Sequence, residues 1–216
     1  YLLTVEGKPA GYGALNGRER FHSDRDTVFE FYLIPPFRKY ASRFFAELIA
    51  VSGATFIECQ SNDRMLSPML YEFAENIFAE AMLFEDFTAT DFQISDAVFR
   101  LRSSGDCMAG RNEEDTGMYV LESKGEIVAT GGFLLHYNHP FADLYMEVHE
   151  NQRKRGLGSF ILQEIKKECY RSGRVPAARC NVTNKASKAT LLKAGMAVCG
   201  ARLVGSVKTS PDQLTD

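Results

Sequence analysis

The sequence has no Cys-x-x-Cys pair. Its five cysteines, Cys59, Cys107, Cys169, Cys180 and Cys199, are odd in number and far apart, which argues against a zinc or dithiol motif and for reduced thiols in a cytoplasmic protein. No apolar run is long enough to cross a bilayer and no signal-peptide pattern opens the chain, so no membrane partner is expected. The chain opens on Tyr1 without an initiator Met, and residues upstream of it are expected. A basic excess is lacking too: a net charge of -3 and a pI near 5.9 give no global field for nucleic acid. What is there is 45% hydrophobic content over 216 residues, enough for one large core or two small ones.

One stretch organises the rest. Met146 and Val148 alternate with Tyr145, Glu147 and His149, the two-residue period of a strand. Glu150-Asn151-Gln152 end it. From Leu157 the apolar residues Phe160, Ile161, Ile165 and Cys169 mark one helical face, Gln163, Lys166, Lys167 and Arg171 the other, and Gly173 the stop. Between strand and helix stand Arg153, Lys154, Arg155, Gly156, Leu157, Gly158 and Ser159. A helix starting at Gly156 leaves its first N–H groups without partners at the positive end of the macrodipole. Glycines without a Cβ let an anion approach that backbone, and three cations crowd the same turn, so the chemistry suits a phosphate or pyrophosphate. The alternative is a solvated basic turn shaped by its glycines.

In chain order, Tyr1–Val5 and Ala10–Leu15 read as a hairpin about Glu6-Gly7-Lys8-Pro9, with a polar loop to Asp26 and a strand over Thr27–Ile34. A helix over Tyr40–Val51, a strand over Ala54–Glu58, a helix over Arg64–Asn76 and one or two strands over Ile77–Phe87 complete the first half. The second half repeats the order: a strand over Val98–Arg102, a polar loop over Ser103–Thr116, a hairpin from Met118–Glu122 to Ile127–His136, and then the organising stretch. A strand over Ala177–Val182, a helix over Ser187–Ala194, a strand over Val198–Val207 and a polar tail from Lys208 follow. Gly7 and Gly13 recur as Gly125 and Gly131 at one offset, and Arg38 and Phe45 as Arg153 and Phe160 at another, as an ancient duplication would leave them. The first copy reads Arg38-Lys-Tyr-Ala41-Ser-Arg43 where the second has its glycines, which makes it a structural partner without phosphate chemistry.

Arg153-x-x-Gly156-x-Gly158, followed by Asn184-x-x-Ser187 and Lys193-Ala-Gly195-Met196, resembles the signature of the GNAT superfamily of acyl-CoA-dependent N-acetyltransferases. The resemblance covers Val98–Val207 well and the first half as a degenerate copy. It implies an α/β fold of the α+β type, with two GNAT-like repeats over 1–95 and 96–216. Each repeat is a mixed, mostly antiparallel sheet flanked by helices, and its fourth and fifth strands splay apart. It implies acetyl-CoA as cosubstrate and no metal. The pyrophosphate would lie on the backbone from Arg153 to Ser159, the pantetheine against Met146 and Val148, with Asn184 and Ser187 nearby. An amine of a small molecule or peptide would attack the thioester directly. The alternative is a non-catalytic module that holds an acyl-CoA as a regulatory ligand.

The family tyrosine that protonates the departing sulfur falls at Leu191, so Tyr145 and Ser187 are the substitutes. Glu147 is the first candidate base and Asp143 the second, against the reading of Glu147 as an ordinary strand carboxylate. His136-x-x-His139 lacks a third metal ligand and reads as a loop. Cys180 reads as a buried thiol rather than a nucleophile. The loops Ser103–Thr116 and Tyr137–Asp143 would set acceptor choice, and the acidic Asp106, Glu113, Glu114 and Asp115 favour a cationic amine. Oligomeric state is open, with a homodimer compatible.

Overall fold

The computed structural model describes residues 1–18, 25–136 and 138–208. Tyr137 of the second acceptor loop, part of the first polar loop and the tail beyond Lys208 lie outside them. Along the chain run β1 (Leu2–Val5), β2 (Lys8–Asn16), β3 (Thr27–Leu33), α1 (Ala41–Ser52), β4 (Phe56–Gln60), α2 (Leu66–Phe73), β5 (Ala74–Asp86) and β6 (Ala97–Leu101). There follow β7 (Tyr119–Ser123), β8 (Glu126–Leu134), β9 (Phe141–Val148), α3 (Leu157–Arg171), β10 (Val175–Asn181), α4 (Lys185–Lys193) and β11 (Met196–Val207). Short 3-10 turns occupy Pro35–Tyr40, Glu113–Asp115 and Glu150–Gln152. This is a mixed α/β fold, a mostly antiparallel sheet flanked by helices, as the sequence predicts. Among the described residues no helix is long and apolar enough to cross a membrane.

The chain divides into two compact units, Tyr1–Ala81 with Gly200–Asp216, and Met82–Cys199; β5 and β11 each run on from one unit into the other. In the first unit the sheet order is β1-β2-β3-β4-β11-β5. The β1–β2 turn has positive φ at Glu6 (50°) and Gly7 (76°), the twist a two-residue hairpin requires. Phe44, Phe45 and Leu48 of α1 pack on Phe31, Leu33 and Ile57. The β3–β4 pairing is parallel and runs only over Thr27↔Phe56 and Val28↔Ile57.

The expected helix over Arg64–Asn76 is shorter, and the strand after it begins at Ala74 rather than Ile77. At its start, the Asp63 carboxylate accepts the N–H groups of Met65 and Leu66 at 2.8 and 2.9 Å. At its end, the Lys208 N–H donates to the Phe73 carbonyl at 3.0 Å. A Cβ on Gly205 would stand 2.8 Å from that of Ala74. A strand arriving from the far end of the sequence thus claims the helix terminus, a tertiary effect that propensity cannot register.

In the second unit the order is β6-β7-β8-β9-β10-β5-β11. β6 to β9 form an antiparallel meander, and β10 joins β9 in parallel through the crossover α3. Leu157, Ile161, Ile165 and Cys169 of α3 are buried with Ala129, Leu144, Ala178 and Cys180 of the strands. On the other face of α3 the sequence reading needs correction: Gln163 and Lys166 are buried, not solvated. The segment after β5 crosses that face and its backbone needs partners. Gln163 accepts the Phe92 N–H at 2.7 Å and donates to the Phe92 carbonyl at 3.1 Å. Lys166 Nζ donates to the carbonyls of Thr88 (3.0 Å) and Ala194 (2.8 Å) and pairs with Asp86 at 2.5 Å.

That pair is nearly dry, with side-chain exposures of 6% for Lys166 and 9% for Asp86. Removing one partner leaves an uncompensated buried charge, which costs about 3–5 kcal/mol. Asp86→Ala is therefore expected to lower the free energy of urea unfolding by about that much. A loss below about 1 kcal/mol, the range of an exposed pair, would contradict a clamping role.

Candidate functional site

The site is built on β9, the turn after it and the N-terminus of α3. Ala142, Leu144, Met146 and Val148 of β9 pack with the core beneath α3, so Phe141, Asp143, Tyr145 and Glu147 fall on the opposite face. In the turn, the Arg153 side chain donates through Nε to the Val148 carbonyl at 3.3 Å. The Arg155 guanidinium donates to Gln152 Oε1 at 2.8 Å. Lys154 (φ 63°) and Gly156 (φ 83°) are left-handed, and Arg153 between the strand and Lys154 is extended.

Gly156 is the N-cap of α3 and no side chain caps the helix there. The first intrahelical bond is Phe160 N–H to the Gly156 carbonyl at 3.0 Å, so the N–H groups of Leu157, Gly158 and Ser159 have no intrahelical acceptor. Gly158 is required by packing as well, since a Cβ there would lie 3.0 Å from Thr190 Cγ2 and 3.5 Å from Met146 Sδ. The Ser159 hydroxyl is turned away to donate to the Thr190 carbonyl at 3.3 Å, leaving only its backbone facing the turn. Lys193 Nζ stands 3.9 Å from where a Gly156 Cβ would be, a fourth cation at the turn. The sequence reading had Lys193 only as part of a motif block.

Below the turn, the β9–β10 register runs Val175↔Phe141, Pro176↔Ala142, Ala177↔Asp143 and stops. Among the described residues the later parts of these strands are not paired with each other, so beyond Asp143 the edge of β9 on the β10 side is left unpaired by β10 on its way to the α3 N-terminus. Asn184 and Ser187 lie just past the end of β10. Asn184 caps α4, its Oδ1 accepting the Ser187 N–H at 3.0 Å. Burial pushes the Cys180 thiol up, and the Ser187 hydroxyl beside it pulls only partway back. That is a core thiol, not a nucleophile.

Arg111 of the first loop named from the sequence, and His136 just before the second, reach the face of β9 away from α3. His136 Nε2 lies 3.2 Å from Asp143 Oδ2, and Arg179 Nε of β10 lies 3.3 Å from the same oxygen. The Tyr145 hydroxyl accepts the Met118 N–H at 3.4 Å over Gly132, where a Cβ would meet it at 2.7 Å. Arg111, from the first loop, pairs with Glu147. Sequence reasoning missed Arg111 and Arg179, because neither lies in a motif.

The acidic residues of that loop are partly consumed within it. Asp106 accepts from Arg100 at 2.5 and 2.9 Å and from the Ser103 N–H, and the guanidinium holds its carboxyl down at about 2. Glu113 accepts the Gly105 N–H at 3.0 Å. An open depression of about 610 Å³ on the loop is lined by Arg102, Asn112, Glu113 and Glu114 and shares no residue with the basic turn. Among the described residues, no group of three or more His, Cys, Asp or Glu side chains is placed to share a metal ion.

Comparison with known proteins adds to this geometry. Residues 75–196 match the model of the acetyltransferase (GNAT) family. Similar solved structures include a GNAT-family acetyltransferase from Colwellia psychrerythraea, with a TM-score of 0.76 at 13% identity over 96% of this chain and 84% of that one. A GCN5-related N-acetyltransferase from Sphaerobacter thermophilus gives 0.53 at 13% identity over 97% and 81%. A tandem GNAT protein from the clavulanic acid biosynthesis pathway gives 0.55 at 10% identity over 97% and 82%. At these identities the likeness is one of fold. No curated protein matches the sequence.

Alkylation of the native protein with iodoacetamide at neutral pH checks the reading of the thiols. Exposed Cys107 is expected to label, and Cys59, Cys169 and Cys180 to stay unmodified until denaturant is added, because burial raises all three, the first two to about 12 and about 11. Rapid native labelling of Cys180, read by peptide mass spectrometry, would contradict a structural role.

Proposed function

Because the chain belongs to the GNAT acetyltransferase family, we propose that it is an acetyl-CoA-dependent N-acetyltransferase whose second copy carries the chemistry. The observation that carries this reading is the uncapped, left-handed start of α3 that follows the part of β9 no longer paired with β10. A helix N-terminus contributes only about 0.3–1 kcal/mol to anion binding. That is too little to hold a coenzyme alone, and here it is joined by Arg153, Lys154, Arg155 and Lys193 and by free backbone along β9. Those residues fit the group: Gly156 to Ser159 would take the pyrophosphate on N–H groups, and Met146 and Val148 would pair with the pantetheine amides. Asn184 and Ser187 would close the far side.

Acetyl-CoA, when bound, supplies an acyl thioester open to direct attack. α3 covers one face of β9, so the amine acceptor would enter over the other, where Tyr145 is exposed and Glu147 half-buried. Glu147 would take the proton from the attacking nitrogen. The Tyr145 oxygen already accepts the Met118 N–H, which leaves its own hydrogen to donate toward the departing sulfur. Leu191, at the family's tyrosine position, is 4% exposed in the core and donates nothing.

The first copy, 1–95, reads as a degenerate repeat. Arg38 Nε donates to the Leu33 carbonyl at 3.2 Å, as Arg153 does to Val148. Glu6-Gly7 and Lys124-Gly125 share one left-handed turn, with φ of 50° and 76° against 52° and 80°. The phosphate turn differs: a 3-10 helix over Pro35–Tyr40 runs into α1, and the Ala41 N–H is already spent on the Arg38 carbonyl. Leu191 and the Arg111–Glu147 pair favour a second reading, a regulatory module that binds an acyl-CoA without turning it over.

Calorimetry and a thiol-release assay separate these. Acetyl-CoA should bind the wild type, and Gly156→Glu should weaken binding at least tenfold, about 1.4 kcal/mol. Glu147→Gln should keep coenzyme affinity and lose roughly 10²–10⁴ in turnover with an accepted amine. Binding without release across a broad amine panel would establish the regulatory module, and no binding would remove both readings.

A further inference from the structure

Resting on the transferase reading, we infer that the acceptor is a free α-amino acid, whose ammonium and carboxylate insert together between Glu147 and Arg111. Glu147 stands on β9 where the register with β10 has ended, on the face away from α3. Arg111 reaches it from the loop between β6 and β7, and both side chains remain accessible, at 36% and 47%. An ion pair this exposed stabilises the loop little and is readily exchanged for better partners. It therefore reads as a template for a ligand rather than as a clamp, in contrast to the dry Lys166–Asp86 pair.

The pair also selects. A simple amine cation could reach Glu147 only by expelling Arg111, leaving a guanidinium without its counter-charge beside an incoming positive charge. An anion has the converse difficulty with Glu147. A zwitterion with its two charges on neighbouring carbons satisfies both at once: the carboxylate takes the planar donor fork of Arg111, and the ammonium donates to Glu147. The same exchange brings the amine to the group that must deprotonate it. The wider face is consistent, since Arg179 and His136 also reach it, both directed at Asp143. In the step itself, Glu147 takes the first ammonium proton, the freed nitrogen lone pair forms the bond to the acyl carbon, and the carbon–sulfur bond breaks; the Tyr145 hydroxyl gives its proton to the sulfur, which leaves as the thiol, and regains one as the nitrogen gives up its second. Peptide N-termini and amino amides lack the adjacent carboxylate.

The test measures thiol release from acetyl-CoA with free amino acids of apolar, polar, acidic and basic side chains. Each is compared with its carboxamide and its decarboxylated amine. With the best side chain, kcat/KM for the free acid should exceed that of the amide and the amine by at least about tenfold, as for loss of a charge-assisted contact. Arg111→Gln should abolish that preference by lowering the rate with the acid while leaving the rates with the amide and the amine unchanged or raised, and Arg111→Lys should retain part of it. A merely structural Arg111 would lower all three together. Release from amides or amines at rates equal to the acids would overturn the inference and leave the transferase standing. Coenzyme binding with no release from any acceptor would end both.

Discussion

Gly156 is the constraint on which the candidate site depends. A left-handed residue at the N-cap breaks the path from strand to helix and leaves the first N–H groups of α3, those of Leu157, Gly158 and Ser159, without an intrahelical acceptor. Any side chain there would sit in a conformation L-residues avoid, and would point a Cβ toward Lys193. The corresponding passage of the first unit shows what happens without this break. Pro35-Pro36 start a 3-10 helix that runs on into α1, so the same kind of helix start is closed by its own backbone. On the proposed duplication, the two helix starts would differ in what they can bind through a few dihedral angles at their entry.

Charge is used in two ways in the second unit. Lys166 is held by a carboxylate and two carbonyls in a nearly dry setting, where solvent cannot replace a lost partner. It ties α3 to the segment that follows β5. Arg111 and Glu147 meet in water's reach, where exchange is easy. Both contacts are ion pairs, and burial alone separates a structural clamp from an exchangeable one.

Much of this was legible in the sequence because it is local. The basic turn, the stripe of α3 and the hairpin at Lys124-Gly125 all declare themselves within a few residues. Local signals failed where distant chain intervened. The end of α2 is set by a strand from the C-terminal end of the chain, and the burial of Gln163 and Lys166 follows from a segment some seventy residues earlier needing hydrogen-bond partners. In the acidic loop, Asp106 and Glu113 turn inward on Arg100 and the Gly105 N–H, and the side chain that the loop sends to Glu147 is its cation, Arg111.

The central claim, that the open start of α3 receives the coenzyme, is tested most directly by following backbone amide resonances of labelled protein as coenzyme A is added. The account predicts large shifts at Gly156 to Ser159, with smaller ones at Met146 and Val148 along β9. Shifts confined to the first unit around Ala41, or none at these amides while binding is saturated, would contradict it.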